Sequence, residues 1–153
     1  MRPLRMRGFV IALVVAIMDQ ATKALAVARL EDKPAISAIP HLLNFRFARN
    51  SGAAFSMGES FTLVFTLIST LVALAIIFFG GRLQGVNSTL LSLVLGGVSG
   101  NLLDRFFRSP GFLRGHVVDW IELPHWPIFN IADSCVVVAA LIFVLHSGKK
   151  RNA

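Results

Sequence analysis

The chain is poor in the groups that several kinds of chemistry require. Its one cysteine, Cys135, stands in an apolar run without a partner, so a disulfide framework and a cysteine-based metal site are both excluded. Cys135 itself reads as a small buried apolar residue. The histidines His41, His116, His125 and His146 are scattered without metal-ligand spacing, Ser134 has no evident base, and no glycine-rich phosphate loop is present. No metal and no cofactor are therefore expected. Internal repeats and low-complexity segments are absent too. Acidic residues number 8 against 15 Lys and Arg, and none precedes Asp19. In a soluble protein a net charge of +7 would suggest nucleic acid, but here the basic residues gather at the chain ends and between apolar runs. That placement fits membrane lipids with anionic headgroups as partners, and no nucleic acid.

Apolar residues, by contrast, are abundant. At 153 residues there is room for one domain, residues 1–153, and a hydrophobic content of 55% exceeds what a soluble domain of that size carries. A bilayer core about 30 Å thick takes about 20 helical residues to cross. Four stretches reach that length, at about 8–28, 61–79, 83–104 and 128–146. The expected fold is an all-α membrane protein of four transmembrane helices with both termini on one side. Arg2, Arg5 and Arg7, with Lys149, Lys150 and Arg151, mark that side as cytoplasmic. Including Arg82, the count there is matched by Arg29, Lys33, Arg46, Arg49, Arg105, Arg108 and Arg114 opposite, so density at the helix ends and the placement of the acids decide the orientation. A cleavable signal peptide ending at Ala26-Val27-Ala28 is the rival reading of the N-terminus, opposed by the polar stretch Asp19, Gln20 and Lys23.

Two long connections, about 29–60 and 105–127, lie on the side away from the termini, and long ordered loops tend to carry function. Leu43-Asn44-Phe45-Arg46-Phe47 alternates with period two and Val117-Val118-Asp119-Trp120 is strand-like, which predicts a small extracytoplasmic β-sheet. Gly96 and Gly100 have the spacing that lets another helix approach closely.

Ionisable groups within membrane segments are costly, and normally signal pairing, a wet cavity or chemistry. Asp19 and Lys23 are four apart and, alone, read as a self-neutralising pair. Gly97, Asn101, Asp104 and Arg105 form one stripe on the third helix, and Asn130 and Asp133 share a face at the start of the fourth. Each acid by itself could be a loop or cap residue. Several polar stripes at one depth point instead to a shared polar cavity. Two carboxylates held close together share a proton, so that one can activate water while the other polarises an amide carbonyl. Asp119 and Asp133 are the candidates for that pair.

These residues fall into five blocks: Asp19-Gln20-Ala21-Thr22-Lys23, Asn50-Ser51-Gly52-Ala53-Ala54-Phe55, Gly96-Gly97 with Gly100-Asn101 and Asp104-Arg105, Val117-Val118-Asp119-Trp120, and Phe129-Asn130-Ile131-Ala132-Asp133-Ser134. In order and spacing they resemble the lipoprotein signal peptidases, or signal peptidase II, over nearly the whole chain. The resemblance implies an aspartic endopeptidase of the bacterial inner membrane. Such an enzyme cuts a prolipoprotein signal peptide just before a diacylglyceryl-modified cysteine, needs no cofactor and is expected to act as a monomer. It places the catalytic pair on Asp119 and Asp133, and supporting or substrate-binding roles on Asp19, Lys23, Asn50, Gly52, Asn101, Asp104, Arg105 and Asn130. Ser51, where threonine is commoner, is a conservative departure. Two other classes stay open on the residues alone: a small four-helix proton- or cation-coupled transporter, and an assembly subunit whose acids join helices. Transporter sites usually lie near the membrane midplane, whereas most of these groups lie toward one boundary.

Overall fold

Helix formation follows the apolar runs. In the computed structural model, which describes residues 2–52, 60–83 and 86–151, the helices are α1 (Met6–Leu30), α2 (Ser60–Phe79), α3 (Val86–Phe107) and α4 (Ile131–Arg151). Strands β1 (Ile36–Ile39) and β2 (Leu43–Asn50) fill the first long connection, and β3 (Val117–Glu122) lies in the second. Ala53, Ala54 and Phe55 of the second sequence block lie outside the described residues.

Three helical stretches, Met6–Leu30, Phe61–Arg82 and Val86–Phe107, are long and apolar enough to cross a membrane, while the fourth helix contributes the shorter apolar run Ile131–His146. Two helix starts differ from the sequence reading. The third is described from Val86 and does not include Leu83, because Gly80–Arg82 form a 3₁₀ turn after α2. The fourth begins at Ile131 rather than 128, because Phe129 pairs with Ile121 as a strand residue. Large apolar side chains cover the outside of the bundle: Leu13, Ile17, Leu71 and Leu141 are 58–66% exposed. In water such a surface would associate, whereas lipid is its natural surrounding.

α3 is the central helix, packed against α1, α2 and α4. α1 and α3 run parallel in one register from end to end. A Cβ on Gly8 would meet Ser92 Oγ at 2.7 Å, one on Gly96 would meet Val15 Cβ at 2.6 Å, and one on Gly100 would meet Asp19 Oδ2 at 2.6 Å. Gly97 does the same for α4, its missing Cβ lying 2.5 Å from Ala132 O. Small residues therefore let the polar groups of three helices converge.

The sheet is antiparallel, in the order β1-β2-β3, with Ala48 opposite Asp119 and Asn50 opposite Val117. Side chains alternate faces along a strand. Val118, fully buried, and Trp120 pack with Ala26 and Leu30 of α1, so Val117 and Asp119 turn the other way, toward α3 and α4. Filling the α1–α3 contact at Gly96 with valine would force the helices apart, since the nearest obstacles include the Ala12 carbonyl at 2.8 Å. Gly96→Val is expected to cost about 1–3 kcal/mol. Thermal unfolding in detergent checks this, and a wild-type midpoint would contradict it.

Candidate active site

One buried ammonium ties α1 to α3. Lys23 Nζ lies 2.8 Å from Asp19 Oδ2 and 2.9 Å from Asp104 Oδ2, all three side chains being fully buried, and it donates to Asn101 Oδ1 at 2.8 Å. The pair expected within α1 is thus present but shared with a second helix. The remaining carboxylate oxygens are also occupied. Asp19 Oδ1 accepts from the Ala132 N–H of α4 at 2.9 Å, Asp104 Oδ2 from the Val118 N–H of β3 at 3.1 Å, and Asp104 Oδ1 pairs with Arg108 at 2.6 Å. Buried ions tolerate desolvation only when satisfied this fully.

The start of α4 is built as a reciprocal cap. Asn130 Oδ1 accepts from the Asp133 N–H at 2.9 Å, while Asp133 Oδ2 accepts from the Asn130 N–H at 3.3 Å. Asp133 is also an acid in the first helical turn, where the helix dipole favours it. The Asn130 amide then reaches across to Asp119 Oδ1 at 2.7 Å. What brings Asp119 beside this cap is the chain's return after β3. A turn at Leu123–Trp126 lets Phe129 pair with Ile121, so that Asn130 emerges next to β3. Asp119 and Asp133 are therefore held on opposite sides of a single asparagine. Asn50 holds Asp119 Oδ2 at 2.9 Å, and Asn101 holds Asp133 Oδ1 at 2.8 Å.

A cavity of about 240 Å³ opens onto Asp133, walled by Asn50, Gly52, Asn101, Arg105 and Phe65. Gly52 has φ +94 and donates its N–H to Asn50 Oδ1 at 2.7 Å, and a Cβ there would strike the Phe65 ring. Arg105 Nη1 donates to the carbonyls of Asn50 and Gly115, 3.0 Å each, pinning the ends of β2 and β3 to α3. Thr62 of α2 bonds the Ser51 carbonyl. A larger cavity, about 390 Å³ beside Pro110, Phe112 and His116, has no carboxyl group in its lining. Among the described residues no cluster of potential metal ligands is present.

Around this centre three cations, Lys23, Arg105 and Arg108, face four carboxyls, Asp19, Asp104, Asp119 and Asp133. In such a setting a carboxyl without a cation of its own is favoured in its neutral form. Asp119, 2% exposed, is pushed up to about 7, first by burial and then by the nearby Asp133, against the opposing hydrogen bond from Asn50.

Residues 11–149 match the family described as signal peptidase (SPase) II. The chain belongs to that family. Curated relatives include the lipoprotein signal peptidase of Mycolicibacterium smegmatis, 49% identical over 90% of this chain and 59% of that protein. That of Mycobacterium tuberculosis strain H37Rv is 46% identical over 95% of this chain and 73% of its own length. The chain thus spans less than two thirds of the first relative. A bacterial membrane enzyme solved by the in meso method at 2.3 Å resolution superposes with a TM-score of 0.79 at 28% identity, covering 99% of this chain and 94% of that one. Membership of the signal peptidase II family does not favour the transporter alternative.

All ten residues singled out from the sequence, Asp19, Lys23, Asn50, Gly52, Asn101, Asp104, Arg105, Asp119, Asn130 and Asp133, lie in one connected polar network. Two members were overlooked. Gln20 donates to the Gly100 carbonyl at 2.9 Å and to Asp104 at 3.1 Å, and Arg108 pairs with Asp104. The Asp104–Arg108 spacing of four was legible as a helical ion pair. Gln20 carried no signal beyond its neighbours. Removing the charge that Asp19 and Asp104 share, by Lys23→Met, is expected to cost about 3–5 kcal/mol. Arg46→Gln breaks an exposed pair with Glu122 and should stay within about 0.5 kcal/mol. Parallel thermal denaturation of the two variants measures the contrast, and equal midpoints would refute it.

Proposed function

We propose that the protein is an aspartic endopeptidase that removes signal peptides from diacylglyceryl-modified prolipoproteins, cutting before the lipid-modified cysteine. The observation that carries this reading is the convergence of Asp119 and Asp133 on Asn130, with Asp133 at the wall of a cavity. The relatives' names supply the substrate class. In this reading Asp133, which faces the cavity, takes a proton from water as its oxygen attacks the scissile carbonyl carbon. Asp119 carries the shared proton, polarises the carbonyl oxygen, and delivers that proton to the leaving nitrogen as the C–N bond breaks. Asn50, Asn101 and Asn130 orient the two carboxyls, while Lys23, Asp19, Asp104 and Arg105 hold the elements that bear them. Both aspartates come from one chain, which supports a monomeric unit and a single domain spanning residues 1–153.

The same proposal places both termini in the cytoplasm and the sheet outside the bacterial inner membrane. Support comes from the absence of acids before Asp19 and from the shared end at which α1 and α3 begin. A lipid-anchored substrate would then reach the cavity by lateral diffusion.

Incubation of the purified protein with lipidated and unlipidated precursors tests the assignment. Only the lipidated form is expected to be cut, and Asp119→Asn and Asp133→Asn should each lower kcat by about 10³-fold or more while remaining folded. Normal processing by either variant would end the dyad assignment. The rate should also fall as pH rises through about 7, because loss of the Asp119 proton leaves two facing anions and no acid. A rate still climbing well above that pH would contradict Asp119 as proton holder.

A further inference from the structure

The face of the sheet turned away from the dyad shapes a cavity of its own. Side chains alternate along β3, so Trp120 points opposite to Asp119 and packs, with Phe45, toward the last turns of α1. The two rings lie 5.5 Å apart between centroids. The groove they help to form, about 370 Å³, is lined by Leu25, Arg29 and Leu30 of α1, Ile36 of β1, Phe45 of β2 and Trp120 of β3. Thr22, Leu25 and Arg29 stand at i, i+3 and i+7, so the groove follows one face of α1 for about 10 Å. Its walls stay open, Leu25 and Ile36 being 57% and 52% exposed.

The surroundings of this groove are those of a lipid. Met18 and Val14, seven and eleven positions before Leu25, lie on the same face of α1 and are 55% and 49% exposed, so the groove is the outer end of an apolar stripe along the helix. At its far end stands Arg29, where α1 leaves the apolar run. Arg29 is exposed and makes no ion pair or hydrogen bond among the described residues, and the nearest acid along the chain, Glu31, is held by Arg49 at 2.6 Å. Trp120 adds a donor, since its indole N–H has no acceptor among the described residues. An apolar slot facing the bilayer, with a free cation and an unsatisfied indole toward its outer end, matches the order of groups in a phospholipid: chain, ester oxygens, phosphate.

We propose that this groove holds a phospholipid of the leaflet on the sheet's side. One acyl chain lies between Leu25 and Ile36 and continues along Met18 and Val14. The phosphate pairs with Arg29, and with a slight tilt of the ring an ester carbonyl accepts from the Trp120 N–H. Bound there, the lipid braces the sheet against α1 on the back of the strand that carries Asp119. A diacylglyceryl group without phosphate would leave Arg29 unpaired.

The chain has two tryptophans and no tyrosine, so Trp126→Phe leaves Trp120 as the only indole, at the wall of the groove. The test is quenching of Trp120 fluorescence in this full-length variant, in detergent, by phosphatidylglycerol with brominated acyl chains or by diacylglycerol with the same chains. Brominated phosphatidylglycerol is expected to quench saturably, and diacylglycerol to need about tenfold more. Unbrominated phosphatidylglycerol should relieve the quenching, and glycerol phosphate should not. Adding Arg29→Gln should raise the half-saturating concentration about tenfold, and Ile36→Glu, which sets an anion in the groove, should weaken binding as well. Lys33→Gln, which removes the same charge outside the groove, should titrate as its parent. Equal quenching by diacylglycerol would overturn the proposal by making the groove a chain site indifferent to phosphate, open to the acyl chains of a substrate. An Arg29→Gln variant that titrates as its parent, or a Lys33→Gln variant as weak as Arg29→Gln, would overturn it too. So would quenching that never saturates, as bulk lipid gives, or none at all, as when a second copy of the chain covers the groove.

Discussion

No charge in the polar centre of this protein can be left uncompensated, and most of the structure follows from that constraint. Lys23, Arg105 and Arg108 meet Asp19, Asp104, Asp119 and Asp133 where three helices and a sheet come together. In a medium of low polarity each ion needs both an opposite charge and a full set of hydrogen bonds. The fold supplies these from distant segments: a backbone N–H of α4 for Asp19, one of β3 for Asp104, and carbonyls at the ends of two loops for Arg105. In the proposed mechanism the surplus of one carboxyl over the cations is a proton held at Asp119. A charge requirement of the fold would thus coincide with the chemical requirement of the proposed acid–base pair.

Packing makes this network possible. Glycines at 8, 96 and 100 bring α1 and α3 together in parallel, and Gly97 admits the first turn of α4. The sheet braces the end of α1 through Val118 and Trp120 and presents Asp119 from its opposite face. α2 contributes less to the site. It packs chiefly on α3, and it reaches the polar region through Thr62 and Thr66, which bond the carbonyls of Ser51 and Leu113.

Apolar runs, the glycine spacing and the misplaced polar residues were all legible along the chain, because hydrophobic length and the cost of burying charge act locally. The pairing of Asp19 with Lys23 was legible too, but its extension to Asp104 was not, since helical spacing says nothing about which other helix lies alongside. The convergence of Asp119 and Asp133 rests on the return through Leu123, Pro124 and Trp126 to Phe129, a turn read only as loop. That same return explains why α4 starts at Ile131. Asn130 and Asp133 could have been recognised as a capping pair from their spacing of three, which would have shown Asn130 to be a link between the two acids.

The central claim is that one proton resides on Asp119 in the folded protein. Infrared difference spectroscopy of the protonated-carboxyl stretch, with pH varied across neutrality, reads it directly. A single carboxylic acid band is expected, disappearing as pH rises through about 7 and absent from Asp119→Asn. A wild-type protein with no such band above the ordinary carboxylate range, or a band unchanged in Asp119→Asn, would contradict the account.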